Sequence, residues 1–292
     1  MAEPLPSPAR LRLAGLSRRF GGLTALSDVD LTVAAGTIHS VIGPNGAGKT
    51  TLFNCITSFC APTAGSILLD GERIDGLKPH LIAARGIART SQNNRLFGTM
   101  TATENVLVAM EVRKHPSTAA TLLGLRAFGA AERDAVARAR ELLAFVGLAA
   151  ERQDETARNL SYGDQRRLEI ARALACDPKL LLLDEPAAGM NAAESMTLMR
   201  LIERVRSERG ITVLLIEHQM RVVMSLSDRV TVLDRGKRIA DGTPAEIQQD
   251  SAVLDAYLGS RAARVDLGTE QILPRQRRSG DAGGGESETL PA

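Results

Sequence analysis

The stretch IHSVIGPNGAGKTT at 38–51 decides the fold. Ile38 to Ile42 form an apolar run that reads as a buried strand. It empties directly into GPNGAGKTT at 43–51, a complete G-x-x-x-x-G-K-T pattern. Strand, glycine-rich loop and helix in that order make a nucleoside-triphosphate site. Gly43, Gly46 and Gly48 let successive backbone N–H groups turn inward on phosphates, with Pro44, Asn45 and Ala47 completing the loop. Lys49 brings a mobile positive charge to the outer phosphates, and Thr50 offers a hydroxyl to Mg²⁺. Thr51 carries the chain on into the helix. A glycine-rich turn that binds nothing is the plainer reading of a lone match, but here the whole pattern sits where strand meets helix.

Working outward, 292 residues with 44% hydrophobic and 24% charged composition suffice for one large α/β core, with room for a subdomain. A net charge of +2 implies neither a basic nucleic-acid footprint nor an acidic tail. With no Trp, two Tyr and six Phe, little material exists for stacking bases, so nucleic acid is not an expected partner. Three cysteines, Cys55, Cys60 and Cys176, have no metal-type spacing with histidine and read as reduced, small apolar residues. The start, MAEPLPSPAR, has no apolar core of a secretory signal. Apolar runs such as Leu180 to Leu183 and Ile211 to Ile216 fall far short of the roughly 20 residues that span a bilayer. Any membrane role is therefore expected to be peripheral.

Residues 11–42 alternate apolar and polar positions in short β-rich pieces, with Gly21, Gly22 and Gly36 as turns. A helix is expected to continue over 51–59, followed by a strand and hairpin in SILLDGERI. From Thr101 to about Ala175 the spacing becomes helical, which implies a helical subdomain, about 95–178, inserted between two halves of a sheet. KLLLLDEP, the stretch MNAAESMTLMRLIERVRSERG, and ITVLLIEH then alternate strand, helix and strand, the mark of parallel strands with crossover helices. SDRVTVLDRGKRIADG closes with two strands, and TPAEIQQD supplies a Thr cap with Pro behind it. The expected divisions are a disordered 1–10, a folded 11–259 and a flexible 260–292, the last lacking apolar periodicity.

A phosphate loop leaves metal and water unattended, so its partner should be an apolar strand that ends in acid. LLLLDE at 180–185 answers that need, on a strand expected beside the phosphate-loop strand. Asp184 would hold the Mg²⁺ shell and Glu185 would orient and deprotonate water for in-line attack. His218 closes ITVLLIEH, where a buried ring could bond the terminal phosphate and keep Glu185 and water in register. Taken alone, a strand-end histidine is more often structural. His39, His80 and His115 have no such company and receive no chemistry.

Together these motifs resemble the ATP-binding subunits of ABC transporters, from about Leu11 to Gly259. GPNGAGKTT looks like Walker A, LLLLDEP like Walker B with its catalytic glutamate, TSQN around Gln92 like the Q-loop, and His218 like the switch histidine. LSYGDQRRLEIARAL at 160–174 stands where the family has LSGGQ and a basic helix, departing at Tyr162 and Asp164 but keeping Ser161 and Gly163. Asn191 replaces the usual Asp of the D-loop.

The resemblance implies a P-loop NTPase core of mixed, mostly parallel sheet, an N-terminal antiparallel β subdomain and the inserted α-helical subdomain. It further implies that Gln92 approaches Mg²⁺ and the attacking water. Phe20 would stack on adenine unless it is a core residue, and Ser161 and Gly163 would touch ATP held by a second ATPase subunit. A helix cap at Ser161 is compatible with either role. The segment NNRLFGTMT after Gln92 would receive a helix from a permease, or Arg95, Leu96 and Phe97 form a plain surface turn.

RFGGLTAL, ARTSQNNRLFGTMTATENVLVA, NLSYGDQRRLEIARAL, DEPAAGMN, LIEHQM and AYLG are similar to the LivG-type ATPases of branched-chain amino-acid importers. Such systems pair the ATPase with a LivF-like second ATPase (or an identical copy), two transmembrane permease subunits and a periplasmic solute-binding protein, at the cytoplasmic face of the inner membrane. ATP and Mg²⁺ are the implied cofactors. Importers of urea or short amides use similar subunits. A non-transport ABC ATPase and a simple nucleotide switch are the other readings, the last having no use for a signature segment.

Overall fold

The computed structural model describes residues 9–90, 96–111 and 126–258. The chain begins with two long antiparallel strands, β1 (Ala9–Phe20) and β2 (Leu23–Ala34), where short pieces were expected. β1 starts at Ala9, two residues before the anticipated folded boundary. β4 (Ala64–Leu69) pairs with the other edge of β1, and β5 (Glu72–Arg73) completes a four-stranded antiparallel sheet in the order β2-β1-β4-β5.

A second sheet has six strands in the order β10-β9-β3-β8-β7-β6. It contains β3 (Ile38–Ile42), β6 (Ile87–Arg89), β7 (Leu180–Asp184), β8 (Thr212–Ile216), β9 (Arg229–Asp234) and β10 (Lys237–Gly242). All its pairings are parallel except the closing β9–β10 hairpin. Here one expectation needs correcting. The acid-ending strand β7 does not neighbour the phosphate-loop strand β3, because β8 lies between them. All three strands are buried on every residue, so hydrophobic content alone cannot rank their order. Register nevertheless keeps the two ends level: Val41 faces Ile216, and Ile216 faces Asp184.

The four leucines of β7 are explained by burial on both faces of this sheet. Leu180 and Leu182 join Leu13, Leu31 and Phe53 in the core between the two sheets, around α1 (Lys49–Ile56). Leu181 and Leu183 face the opposite core, formed with the helices. α1 begins and ends earlier than the expected 51–59. Thr57 turns its hydroxyl back onto the Phe53 carbonyl, and Ser58 adopts φ 59°.

α2 (Pro79–Ala84) precedes β6. The helical region contains α3 (Ala102–Glu111), α4 (Arg126–Phe145) and α5 (Tyr162–Leu174), joined by Val106, Leu142, Leu143 and Leu168. After β7 come α6 (Ala192–Arg209), β8 and α7 (Met220–Leu226). The C-terminal α8 (Pro244–Gln249) and α9 (Ser251–Leu258) pack Ile247 and Val253 against Ile42, Met220 and Val223. Thr243 and Glu246 form a reciprocal cap at α8, as the T-P-x-E pattern anticipates. Among the described residues no helix is long and apolar enough to cross a membrane.

Candidate functional site

The 43–51 loop is built so that only glycine fits at two of its turns. Gly43 has φ 149°, and a Cβ there would stand 2.0 Å from the Leu233 carbonyl oxygen. Gly48, at φ 104°, would place a Cβ 2.6 Å from the Ala25 oxygen. Gly46 has open space and needs only its left-handed φ of 80°. Bonds from Ala47 N–H to Pro44 O (3.1 Å) and from Gly236 N–H to Ala47 O (3.0 Å) close the loop against β9. The resulting nest, followed by the first turn of α1, suits a polyphosphate. Asn45, Gly46 and Thr50 are exposed at its mouth, and Thr51 is half-buried.

Lys49 is buried and donates to Gly43 O at 2.6 Å and Pro44 O at 3.1 Å. Burial lowers its pKa, against the raising influence of the Glu185 and Asp184 carboxylates. Those two acids therefore share an electrostatic neighbourhood with the loop lysine, although they come from β7.

Asp184 is buried, with Oδ2 accepting from Arg89 Nη2 at 2.8 Å. Arg89 also donates to Asn54 Oδ1 at 2.7 Å, so one guanidinium joins β6, β7 and α1. Glu185, half-buried, sits at φ 47°, a left-handed conformation costing an ordinary residue on the order of 1 kcal/mol. Its N–H bonds Ile216 O at 2.9 Å, which keeps it level with the end of β8. His218 Nδ1 lies 3.7 Å from Glu185 Oε2, so the structure brings these two candidates together.

The expected burial of His218 is not found. Its side chain is 54% exposed because β8 stops at Ile216 and His218 follows two residues later. The buried residue at this turn is Glu217, whose Oε1 accepts the Ala187 N–H (3.0 Å) and Oε2 the His218 N–H (3.2 Å). Burial pushes the Glu217 carboxyl above the usual range.

Gly163 lies beside α6, where a Cβ would stand 3.8 Å from Glu194 Oε1. Ser161 caps α5, accepting from Asp164 N–H at 3.2 Å and donating to Asp164 Oδ2 at 2.8 Å. Arg152 and Arg167 pair with that carboxylate. Asn191, standing for the common aspartate, forms a reciprocal cap with Glu194 at the start of α6. A neutral side chain suffices for that job. Phe20 is 45% exposed under the Arg18 guanidinium, 4.3 Å from the ring centroid, so it is not a core residue. Gln92, Asn93, Asn94, Arg95 and His115 lie outside the described residues.

Reading the sequence for motifs passed over Arg89, Glu217 and the contacts of Tyr162. Each adjoins a motif, and a charged residue ending an apolar strand is the signal that Arg89 and Glu217 carried. For a divalent cation, the described residues hold no cluster of three or more acidic, His or Cys side chains. The donors such an ion would find are the exposed Thr50 hydroxyl and the Asp184 carboxylate. So sparse a set fits Mg²⁺, which keeps waters and shares phosphate oxygens.

Against known families, residues 26–188 match the family described as "ABC transporter". The chain belongs to the ABC transporter ATP-binding family. Residues 237–263 of this cassette also match "Branched-chain amino acid ATP-binding cassette transporter". It is 50% identical over 249 residues to the high-affinity branched-chain amino acid transport ATP-binding protein BraF of Pseudomonas aeruginosa, covering 85% of this chain and 97% of BraF. LivG of Escherichia coli, a protein with the same description, is 46% identical over 259 residues, or 89% and 99% of the two chains.

Among solved structures, the ADP conformation of MJ1267, an ATP-binding cassette of an ABC transporter, superposes with TM-score 0.74 at 30% identity, over 86% of this chain and 99% of that one. A dimeric post-hydrolysis state of the cassette MJ0796, bound to ADP and Pi, gives 0.68 at 25% identity, covering 80% and 98%. The cassette is thus an ATP-binding, ATP-hydrolysing protein with the expected architecture: a mixed, mostly parallel core sheet, an antiparallel sheet and a helical region.

Proposed function

We propose that the cassette hydrolyses ATP to drive import of branched-chain amino acids. The observation that carries this is its 50% identity to BraF along almost the whole of that protein, with the separate match at 237–263. In this reading the nest at 43–48 and Lys49 grip the β- and γ-phosphates, Thr50 and Asp184 hold Mg²⁺ with Gln92, and exposed Phe20 stacks on adenine. Mg²⁺, when bound, neutralises phosphate charge. Glu185, aimed by its left-handed backbone, accepts the proton of the attacking water. His218, 3.7 Å away and exposed, holds the γ-phosphate and the Glu185 carboxylate in register.

Lys49 already directs two of its three donors at loop carbonyls, so phosphate would replace contacts that exist rather than add to none. Exchange of this kind keeps the loop shaped while empty of work.

Ser161 and Gly163 act on the nucleotide of a second ATPase subunit, LivF-like or identical, in a sandwich that closes with ATP and opens after hydrolysis. The dimeric form of MJ0796 supports this arrangement. Two permease subunits would be driven, with a periplasmic solute-binding protein supplying substrate, while the cassette sits peripherally at the cytoplasmic face of the inner membrane. The docking groove for a permease helix is a cleft of about 470 Å³ lined by Phe59, Ile82, Phe97, Val108, Glu169 and Arg172. Exposed Phe59 and Phe97 at its rim favour an apolar partner over a bare surface turn.

The test is reconstitution with the neighbouring permeases and binding protein in vesicles. ATP-driven uptake of radiolabelled leucine, isoleucine or valine is expected. Uptake of urea or a short amide instead would reassign the solute, and failure to co-purify with any permease would end the transport reading.

A further inference from the structure

Tyr162 occupies a place where the family signature has glycine, and its side chain is not idle. Although the residue is 42% exposed, its hydroxyl engages two partners. The hydroxyl donates to the Ala188 carbonyl at 2.9 Å and accepts from Arg166 Nη2 at 3.0 Å. Arg166 is itself buried and paired with the buried Glu169 at 2.9 Å. The Arg166 bond is the charge-assisted one, and a guanidinium donating to the phenol oxygen polarises the O–H and strengthens its bond to Ala188. The ring lies along Gly189, where a Cβ would stand 3.6 Å from Tyr162 Cε1 and Oη. Gly189 itself has φ 77°, a backbone conformation that would strain any side chain there.

Ala188 is one hydrogen bond from the catalytic candidate. Its N–H donates to Glu185 O at 3.1 Å, and Glu185 is the residue held at φ 47°. From the other side, Glu217 holds Ala187 N–H at 3.0 Å. Residues 185–188 are therefore gripped between a buried carboxylate of the switch segment and a tyrosine of α5.

We propose that Tyr162 is a positioning residue: a strut within one subunit that transmits the state of α5, at Ser161, to the backbone of Glu185. The inference rests on the two-subunit sandwich proposed above. There Ser161 engages the neighbour's nucleotide while Glu185 serves its own, so the strut makes the water-activating carboxylate of one site respond to occupancy of the other. A signature with glycine at 162 has no such side chain, and this cassette's coupling between sites is correspondingly tighter.

The experiment compares the parent with Tyr162→Phe, which keeps ring and helix but deletes the hydroxyl, and with Tyr162→Gly, which deletes the strut. ATPase rate against ATP concentration is measured in the full transporter complex, with melting temperature and equilibrium binding of a fluorescent ATP analogue alongside. For Tyr162→Phe a Hill coefficient reduced toward 1 and a kcat about fivefold lower are expected, the equivalent of one lost hydrogen bond of about 1 kcal/mol. Analogue affinity should stay at the parental value and the melting temperature within about 2–4 °C of it, the shift that one lost hydrogen bond brings, and Tyr162→Gly should show an equal or larger loss of cooperativity.

Parental cooperativity and kcat in both variants would overturn the strut, as would a loss of rate that appears only with a fall in melting temperature well beyond about 4 °C. Light scattering of Glu185→Gln with ATP separates the two layers. Dimers together with unaffected Tyr162 variants remove the strut alone. No ATP-dependent dimer removes the sandwich and, with it, the proposal.

Discussion

Lowering pH should destabilise this cassette through one buried imidazole, His39, on the strand that carries the phosphate loop. His39 is fully enclosed between β9 and β8, with Nε2 2.8 Å from the Thr231 hydroxyl. Burial lowers its pKa from 6.5 to about 4; Asp241 and Asp228 oppose the shift and Arg229 adds to it. The folded state thus prefers the neutral ring. Above pH 6.5 both states are neutral and nothing is lost. As pH falls from 6.5 toward 4 the unfolded chain takes up a proton that the folded chain refuses, so stability drops. A depression of about 2.5 units is worth roughly 3 kcal/mol when complete, and about 2 kcal/mol at pH 5.

Other groups work in different directions or ranges. The raised Glu217 carboxyl makes folding easier as pH falls, and the lowered Asp241 carboxyl loses its contribution only below the usual aspartate range. His39→Gln isolates the histidine, since it cannot titrate. Thermal unfolding of both proteins is followed from pH 7.5 to 5. The parent should lose about 4–8 °C more than the variant, at 2–4 °C per kcal/mol for a domain of this size. Parallel melting curves across that range would show that His39 is protonated freely in the fold.

Glu185→Gln should keep nucleotide affinity while lowering kcat by about 10²–10⁴, and normal turnover would remove Glu185 from the base role. Lys49→Ala should weaken ATP binding about 10- to 100-fold, measured by direct titration; an unchanged Kd would refute its phosphate contact. Gly48→Ala should cost more than Gly46→Ala in urea unfolding. The first adds a backbone clash to a forbidden φ, whereas the second meets only the left-handed cost of about 1 kcal/mol; equal losses would contradict the packing. Glu217→Ala should destabilise by about 1–3 kcal/mol by orphaning the Ala187 N–H, and a neutral result would show that water or relaxation replaces it.

The phosphate loop, the acid-ending strand and the cap at Thr243 were all legible, because each is a local device with fixed spacing. Gly43 and Gly48 announce a forbidden φ, and D-E after four leucines announces a strand that runs out of core. What escaped was set by partners distant in sequence. Strand order was invisible because β3, β7 and β8 are apolar on both faces, so burial pattern cannot tell which adjoins which. The exposure of His218 depended on where β8 stops, and a two-residue error at a strand end exchanges the buried Glu217 for the open imidazole. Arg89 lies 95 residues from Asp184 and meets it only because β6 pairs with β7.

The site residues and their partners share a property. Asp184 is met by Arg89, Lys49 by two carbonyls, Ala187 by Glu217, Ala188 by Tyr162 and Ser161 by Asp164. Three groups assigned to phosphate or metal, Lys49, Asp184 and Ser161, are already held by protein partners. Unpaired buried charges would cost several kcal/mol each, so a site made of such groups stays folded only if they are mutually satisfied. In the proposed sandwich, nucleotide binding would then be an exchange of partners, in which Lys49 leaves carbonyls for phosphate and Ser161 leaves Asp164 for a neighbour's ligand. On that proposal the balance between the two sets, rather than the strength of either, would let a closed state form with ATP and dissolve once the γ-phosphate is gone.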